Sequence, residues 1–225
     1  MAPRALSAEI IACRRCPRLV EYRERVAKEK RRAYRDWEYW GRPLPGFGDP
    51  AARLMVIGLA PAAHGGNRTG RIFTGDRSGD WLFQTLYRFG FANQPTSTHR
   101  DDGLQLSDAY VTAAVRCAPP DNKPATQELE NCQPYLEREI RLLRKVRVVV
   151  ALGRIAFDAY LSARRALAMP LPQPRPQFGH AAIHELSDVF LIGSYHPSQR
   201  NTQTGMLTQA MFDRVFATAR RLLGR

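Results

Sequence analysis

No stretch of this 225-residue chain is apolar for long enough to cross a bilayer, so no membrane partner is expected. The motifs of the commonest covalent and hydrolytic chemistries are missing too. There is no G-x-S-x-G around an activated serine and no H-E-x-x-H on a metal-binding helix. No Gly-Lys-Ser/Thr follows a glycine-rich loop, which excludes a P-loop, and no G-x-G-x-x-G marks a dinucleotide site at a strand–helix turn. Cysteine is scarce, with four residues in all. The opening Met-Ala-Pro-Arg-Ala-Leu-Ser does not read as a signal peptide, and disulfides are disfavoured in a chain that otherwise reads as cytoplasmic.

Acidic residues are in short supply as well. Lys and Arg number 34 against 21 Asp and Glu, a formal net charge of +13. That surplus points to a polyanionic partner, most simply nucleic acid, with a generally basic solvated surface as the plainer alternative. Residues 14–42 concentrate it, with eleven Lys/Arg against five Asp/Glu. The length suits a single domain over residues 1–225 with a sizeable core.

What is present is a regular alternation. Residues 8–35 read as helical. Short, continuously apolar strands are expected at 54–58, 109–115, 146–152 and 189–193. Helices are expected at 80–88, 128–143 and 155–161, and an amphipathic one closes the chain through Leu207, Met211, Val215, Ala219 and Leu222. Residues 42–50 and the proline-rich 170–176 read as loops. This pattern predicts an α/β fold, a three-layer α/β/α sandwich around a central, mainly parallel four-stranded sheet. Ligands of such sheets gather at the carboxyl ends of the strands. Three strands there run into long polar loops, at 58–76, 116–123 and 194–205, and the candidate active site lies where these converge.

The four cysteines fall into two pairs, Cys13 with Cys16 and Cys117 with Cys132. The first pair is C-x2-C, on one tight turn, and the second follows a predicted strand. Four thiolates suit a tetrahedral zinc or a [4Fe–4S] cluster, and spacing alone does not choose. Loop 58–76 carries five glycines and one aromatic, Phe73, either a plug over the core or a stacking plate for a flat ligand such as a base. The last loop holds His196 just beyond a strand end, stiffened by Pro197. It also offers Ser198, Gln199, Arg200 and Asn201, all residue types that contact phosphates.

Together these pieces resemble the uracil-DNA glycosylase superfamily, specifically family 5, the iron–sulfur-containing UDGb type. Gly58-Leu59-Ala60-Pro61 looks like its first motif and Ser194-Tyr195-His196-Pro197-Ser198 like its second; residues 112–124 match in register. The resemblance implies that Cys13, Cys16, Cys117 and Cys132 hold a structural [4Fe–4S] cluster. That cluster would tie the N-terminal helical region to the loop bearing Asn122. It implies a monofunctional glycosylase that flips uracil, and other deaminated bases such as hypoxanthine, out of double-stranded DNA and hydrolyses the N-glycosidic bond. Phe73 would stack on the base and Asn122 would read its pairing edge. His196 would stabilise charge on O2, helped by the backbone at Gly58, Ala60 and Ala62. Other families place a polar residue in the first motif; Leu59 and Ala60 stand there instead, leaving Asp76 as the best carboxylate to orient water, with a helix cap as its alternative role. His64 is a further candidate. The segment 199–206 would enter the minor groove, with Gln199, Arg200 or Met206 as the wedge. A monomer in a bacterial or archaeal cytoplasm, at the nucleoid, is expected. The competing readings are a non-catalytic nucleic-acid-binding module built on a four-cysteine metal site, and a ferredoxin-like carrier, for which the cysteines are too dispersed.

Overall fold

The computed structural model describes residues 4–224. Two helices, α1 (Arg4–Ile11) and α2 (Pro17–Glu29), break the expected 8–35 region at the cysteine turn. Cys16 sits in an extended conformation as the N-cap of α2, and Pro17, with no N–H to leave unpaired, starts the helix. Then follow β1 (Phe47–Gly48), β2 (Leu54–Gly58), α3 (Gly66–Thr69), α4 (Arg77–Arg88), β3 (Ala109–Ala113), α5 (Thr126–Leu142), β4 (Val148–Leu152), α6 (Arg154–Ala166), β5 (Ile183–Glu185), β6 (Phe190–Ser194), α7 (Gln199–Gln203) and α8 (Gln209–Leu223).

The sheet has six strands in the order β1-β3-β2-β4-β6-β5. The four strands expected from sequence are its parallel centre, with Leu54 opposite Ala109 and Val148, and Leu152 opposite Ser194. Two short antiparallel strands, β1 and β5, extend the edges. Alternate residues of the central strands face opposite layers, and both layers are dry. Leu54, Val56, Val111, Val148, Val150 and Ile192 pack with Leu82, Phe83 and Leu86 of α4 and Phe212, Val215 and Phe216 of α8. Met55, Ile57, Tyr110, Val149 and Leu191 pack with Leu136 of α5 and Phe157, Tyr160 and Leu161 of α6. Burial on both faces is why the strands read as unbroken apolar runs.

The connections from β2 and β3 leave in opposite directions, because β3 and β4 flank β2 on its two sides. A crevice opens at the carboxyl end of a strand where the order reverses in this way. Gly58 ends β2 at that point, and β6, two strands away, ends at Ser194, just before His196. Among the described residues, no helix is long and apolar enough to cross a membrane.

Candidate active site at the carboxyl edge of the sheet

Loop 58–76 is glycine-rich but tightly held. Two buried arginines lock it. Arg68 donates from Nε to the His64 carbonyl at 2.8 Å and from Nη2 to the Gly75 carbonyl at 2.9 Å, while its guanidinium packs on the rings of Tyr34 and Trp37. Arg71 donates to Thr74, Ser97 and both carboxylate oxygens of Asp102. Burial works against the Asp102 charge. The Arg71 hydrogen bond and the N–H groups of Leu104, Thr98 and His99 nevertheless bring its pKa down to about 2.

This frame presents Phe73. Its φ of +53° is a conformation that side chains rarely adopt, and the ring lies directly on Gly58. A Cβ at Gly58 would come within 2.4 Å of the ring, and one at Gly79 within 1.8 Å of the Phe73 carbonyl. Both glycines therefore leave the space that Phe73 needs. Opposite it stands His196, the ring centroids 5.9 Å apart and the planes 28° from parallel. Phe73 belongs to the core cluster, as a plug over the core would, and its ring also faces His196.

His196 is fixed through its backbone. Its carbonyl accepts from Ser198 N at 2.8 Å and from Asn201 Nδ2 at 2.9 Å. Its ring nitrogens have no hydrogen-bond partner among the described residues. The imidazole is partly accessible, yet burial lowers its pKa to about 4, so it is neutral near pH 7 and offers one N–H as a donor.

Asp76 is the N-cap of α4, its Oδ1 accepting from Gly79 N at 3.0 Å. Oδ2 lies against Gly65, where a Cβ would come within 2.1 Å. Burial raises the Asp76 pKa, while the N–H groups of Gly79 and Ser78 and the charge of Arg68 oppose that rise. The capping role is thus real, and a second carboxylate oxygen remains. The N–H groups of Ala60 and Ala62 have no acceptor among the described residues. Asn122 is exposed, at φ +56° on a 3-10 turn (Pro120–Asn122), and no contact joins it to the Phe73–His196 pair among the described residues. His64 bonds Tyr39 Oη through Nδ1 at 3.1 Å, and burial followed by the charges of Arg31 and Arg68 lowers its pKa.

The segment after His196 reads as a loop in sequence but forms the short helix α7, capped by Ser198 Oγ accepting from Asn201 N. Ser198 and Asn201 thus use their polar groups inside the protein. Gln199 and Arg200 are exposed, and Met206, beyond the helix, is 56 % exposed.

All four cysteines are free and line one small pocket. Cys16, Cys117 and Cys132 form a buried cluster with Leu19 and Val115, against which Ala60 packs, so the cysteine site touches the first motif. Arg23, 2 % exposed, donates to Cys117 Sγ at 2.9 Å and to the Cys13 carbonyl at 3.2 Å. Asn131 Nδ2 donates to Cys16 Sγ at 3.3 Å. Burial pushes Cys117 up to about 12 and Cys132 up to about 11, against the pull of Arg23 on the former and the Arg116 N–H on the latter. Arg23 and Arg116 line this pocket, and the Nε of each is buried without a partner. Arg116 is already paired with Glu139 at 2.7 Å, so the cation that suits a group leaving the thiolates net negative is Arg23, which donates to Cys117 Sγ. The donor set therefore fits a bound metal centre. Among the described residues no three His, Cys, Asp or Glu side chains stand close enough to share a single metal ion.

Sequence reading missed Arg23, Arg68 and Arg71. A charged residue in a polar loop or on a basic helix reads as solvated, and nothing in the sequence places Tyr34 and Trp37 against Arg68.

Comparison with known proteins agrees with this geometry. The profile of the uracil DNA glycosylase superfamily matches residues 45–220. The chain is 51 % identical over 221 residues to a type-5 uracil-DNA glycosylase of Mycobacterium leprae, covering 97 % of this chain and 95 % of the relative. It is 51 % identical over 218 residues to the type-5 enzyme of Thermus thermophilus, covering 96 % and 95 %. A type-4 uracil-DNA glycosylase of Sulfurisphaera tokodaii is more distant, at 27 % over 194 residues, covering 86 % and 73 %. With a match across most of its length and this degree of identity, the chain belongs to the type-5 family of the uracil DNA glycosylase superfamily.

Proposed function

We propose that this protein is a monofunctional uracil-DNA glycosylase that hydrolyses the bond between uracil and deoxyribose and so initiates base excision repair. The observation that carries the reading is the pair Phe73 and His196, a flat ring and a neutral N–H donor facing each other at the carboxyl edge of the sheet. A base flipped out of the duplex meets both the stacking surface and the donor that its departure requires.

The chemistry is dissociative. The C1′–N1 bond breaks with its electron pair leaving on uracil, and the sugar becomes oxocarbenium-like. Charge on the departing base spreads to O2, where the His196 N–H stabilises it without transferring a proton. The free N–H groups of Ala60 and Ala62 share that task. The second oxygen of Asp76 orients a water for attack at C1′ and steadies the cation. Asn122 pairs with O4 and N3–H of uracil, which needs DNA to bring base and loop together. Gln199 and Arg200 meet the backbone of the duplex. Met206, apolar and exposed, fits the wedge that fills the gap left by the base.

Cys13, Cys16, Cys117 and Cys132 hold a [4Fe–4S] cluster. The four thiols share one pocket, with the buried Arg23 donating to Cys117 Sγ, and these residues would hold the cluster. The cluster is structural. Arg18 grips Glu128 through Nε at 2.8 Å and Nη2 at 2.6 Å and also donates to the Lys123 carbonyl beside Asn122, so α2 is tied to that loop by side chains as well. The protein works as one domain and as a monomer, in a bacterial or archaeal cytoplasm on nucleoid DNA.

With the apolar Leu59 and Ala60 in the first motif where other families place a polar residue, the pocket takes other deaminated bases as well. Chromatography of free bases released from duplexes holding one uracil or one hypoxanthine tests both statements. Uracil release supports the function, and hypoxanthine release supports the wider pocket; no uracil release sinks the first and no hypoxanthine release the second.

A further inference from the structure

Segment 38–42 and the turn at 99–100 enclose a pocket of about 430 Å³ against loop 58–76. Arg42, Arg68 and Arg100 line it, together with His99 and a single carboxylate, Glu38. Trp40 forms its wall and is held in place from both ends. Its N–H donates to the Arg68 carbonyl at 3.0 Å and its indole Nε1 to the Pro43 carbonyl at 3.2 Å. Arg42 and Arg100 lie within 5.6 and 4.8 Å of the indole centroid. Gly70, at φ +80°, lets this group close down, since a Cβ there would come within 3.1 Å of Arg100 and 3.3 Å of Trp40.

The charges are unbalanced. Arg42 and Arg68 have no carboxylate partner among the described residues, and Arg100 meets only Asp101, itself 70 % exposed, at 3.2 Å. Arg68 is different: its guanidinium is buried between the rings of Tyr34 and Trp37 and donates to the His64 and Gly75 carbonyls, where its charge reaches Asp76. Planar forks preset on an aromatic wall match the oxygens of a phosphodiester. We propose that Arg42 and Arg100 bind a backbone phosphate of the substrate DNA. Arg68 backs the pocket and holds the Gly75 carbonyl, so this phosphate site lies against the loop that carries Asp76. This rests on the glycosylase reading and adds a contact remote from the α7 segment.

Arg42 and Arg100 are exposed and stand outside the base pocket, so Arg42→Gln/Arg100→Gln is the variant to make. Binding to an abasic-site duplex is followed by fluorescence anisotropy over a salt series. The expected result is affinity weaker by on the order of tenfold at low salt and a log K against log salt slope shallower by about 1 to 2. Arg42→Lys/Arg100→Lys keeps most of the slope. Wild-type affinity and slope in the glutamine variant overturn the proposal. A wild-type protein that does not bind DNA removes the glycosylase reading first, and this site with it.

Discussion

Nη2 of Arg68 donates to the carbonyl of Gly75 at 2.9 Å, one residue before Asp76. The buried cation and the loop that carries Asp76 are thereby held together. Rigid placement is worth a great deal in catalysis, because a misplacement of about 1 Å can cost on the order of 100-fold in rate. Arg68→Met keeps much of the packing volume on Tyr34 and Trp37 but loses both hydrogen bonds. Its single-turnover rate on uracil duplexes is expected to fall about 10- to 100-fold, with stability lower by about 2 kcal/mol. A variant as fast as the wild type would show that the clamp does not position Asp76.

Asp76 caps α4 and, in the proposed mechanism, orients the attacking water, two roles that substitution separates. Asparagine caps a helix about as well as aspartate, whereas alanine costs about 1 kcal/mol. Asp76→Asn is therefore expected to melt near the wild-type temperature and yet to release uracil about 100-fold more slowly. Asp76→Ala should be both slow and less stable. Calorimetry beside single-turnover kinetics makes the comparison, and an Asp76→Asn protein with full activity would reduce this residue to a cap.

His196 gives a pH signature. Its pKa falls from the ordinary 6.5 to about 4 on folding, because burial disfavours the imidazolium. Between those values the unfolded chain binds the proton and the folded one does not. Stability is thus fully present above pH 6.5 and is lost as the pH falls towards 4, by roughly 3 kcal/mol. Denaturant melts at pH 7 and pH 4.5 should show the loss in the wild type and a smaller one in His196→Asn. The rate of base release should show no inflection between pH 6 and 8, since the donor is neutral throughout.

The cysteine pocket makes a compositional prediction. Ala60 packs against the group formed by Cys16, Cys117 and Cys132, and Arg23 reaches Cys117 from α2. Cys117→Ala is expected to lose iron, visible absorbance, thermal stability and activity together, measured by metal analysis, spectroscopy, melting and base release. An active, stable and colourless variant contradicts the structural coupling.

The four central strands and the helices between them were legible because burial on both faces forces unbroken runs such as Val148–Leu152. The edge strands were not. Phe47–Gly48 spans two residues and Ile183–Glu185 three, too few to display a period. Gln199–Gln203 reads as loop because five polar residues in a row carry no apolar face; Ser198 supplies the cap that starts the helix. At the site, Gly58, Phe73 and His196 were readable from glycine, aromatic and histidine standing in polar loops at strand ends. That the loop is rigid was not readable. Its rigidity comes from Arg68 and Arg71, and only the fold reveals that Tyr34, Trp37 and Asp102 lie beside them.

The most direct test is strand cleavage at a single uracil. Purified protein, without added metal, is incubated with a labelled duplex carrying one uracil, and half of the sample is then treated with alkali. The account predicts a break at the uracil after alkali and none without it, as a glycosylase lacking lyase activity leaves an intact abasic strand. An unbroken strand after alkali, from protein that holds iron and binds the duplex, would contradict it and favour a nucleic-acid-binding module without catalysis.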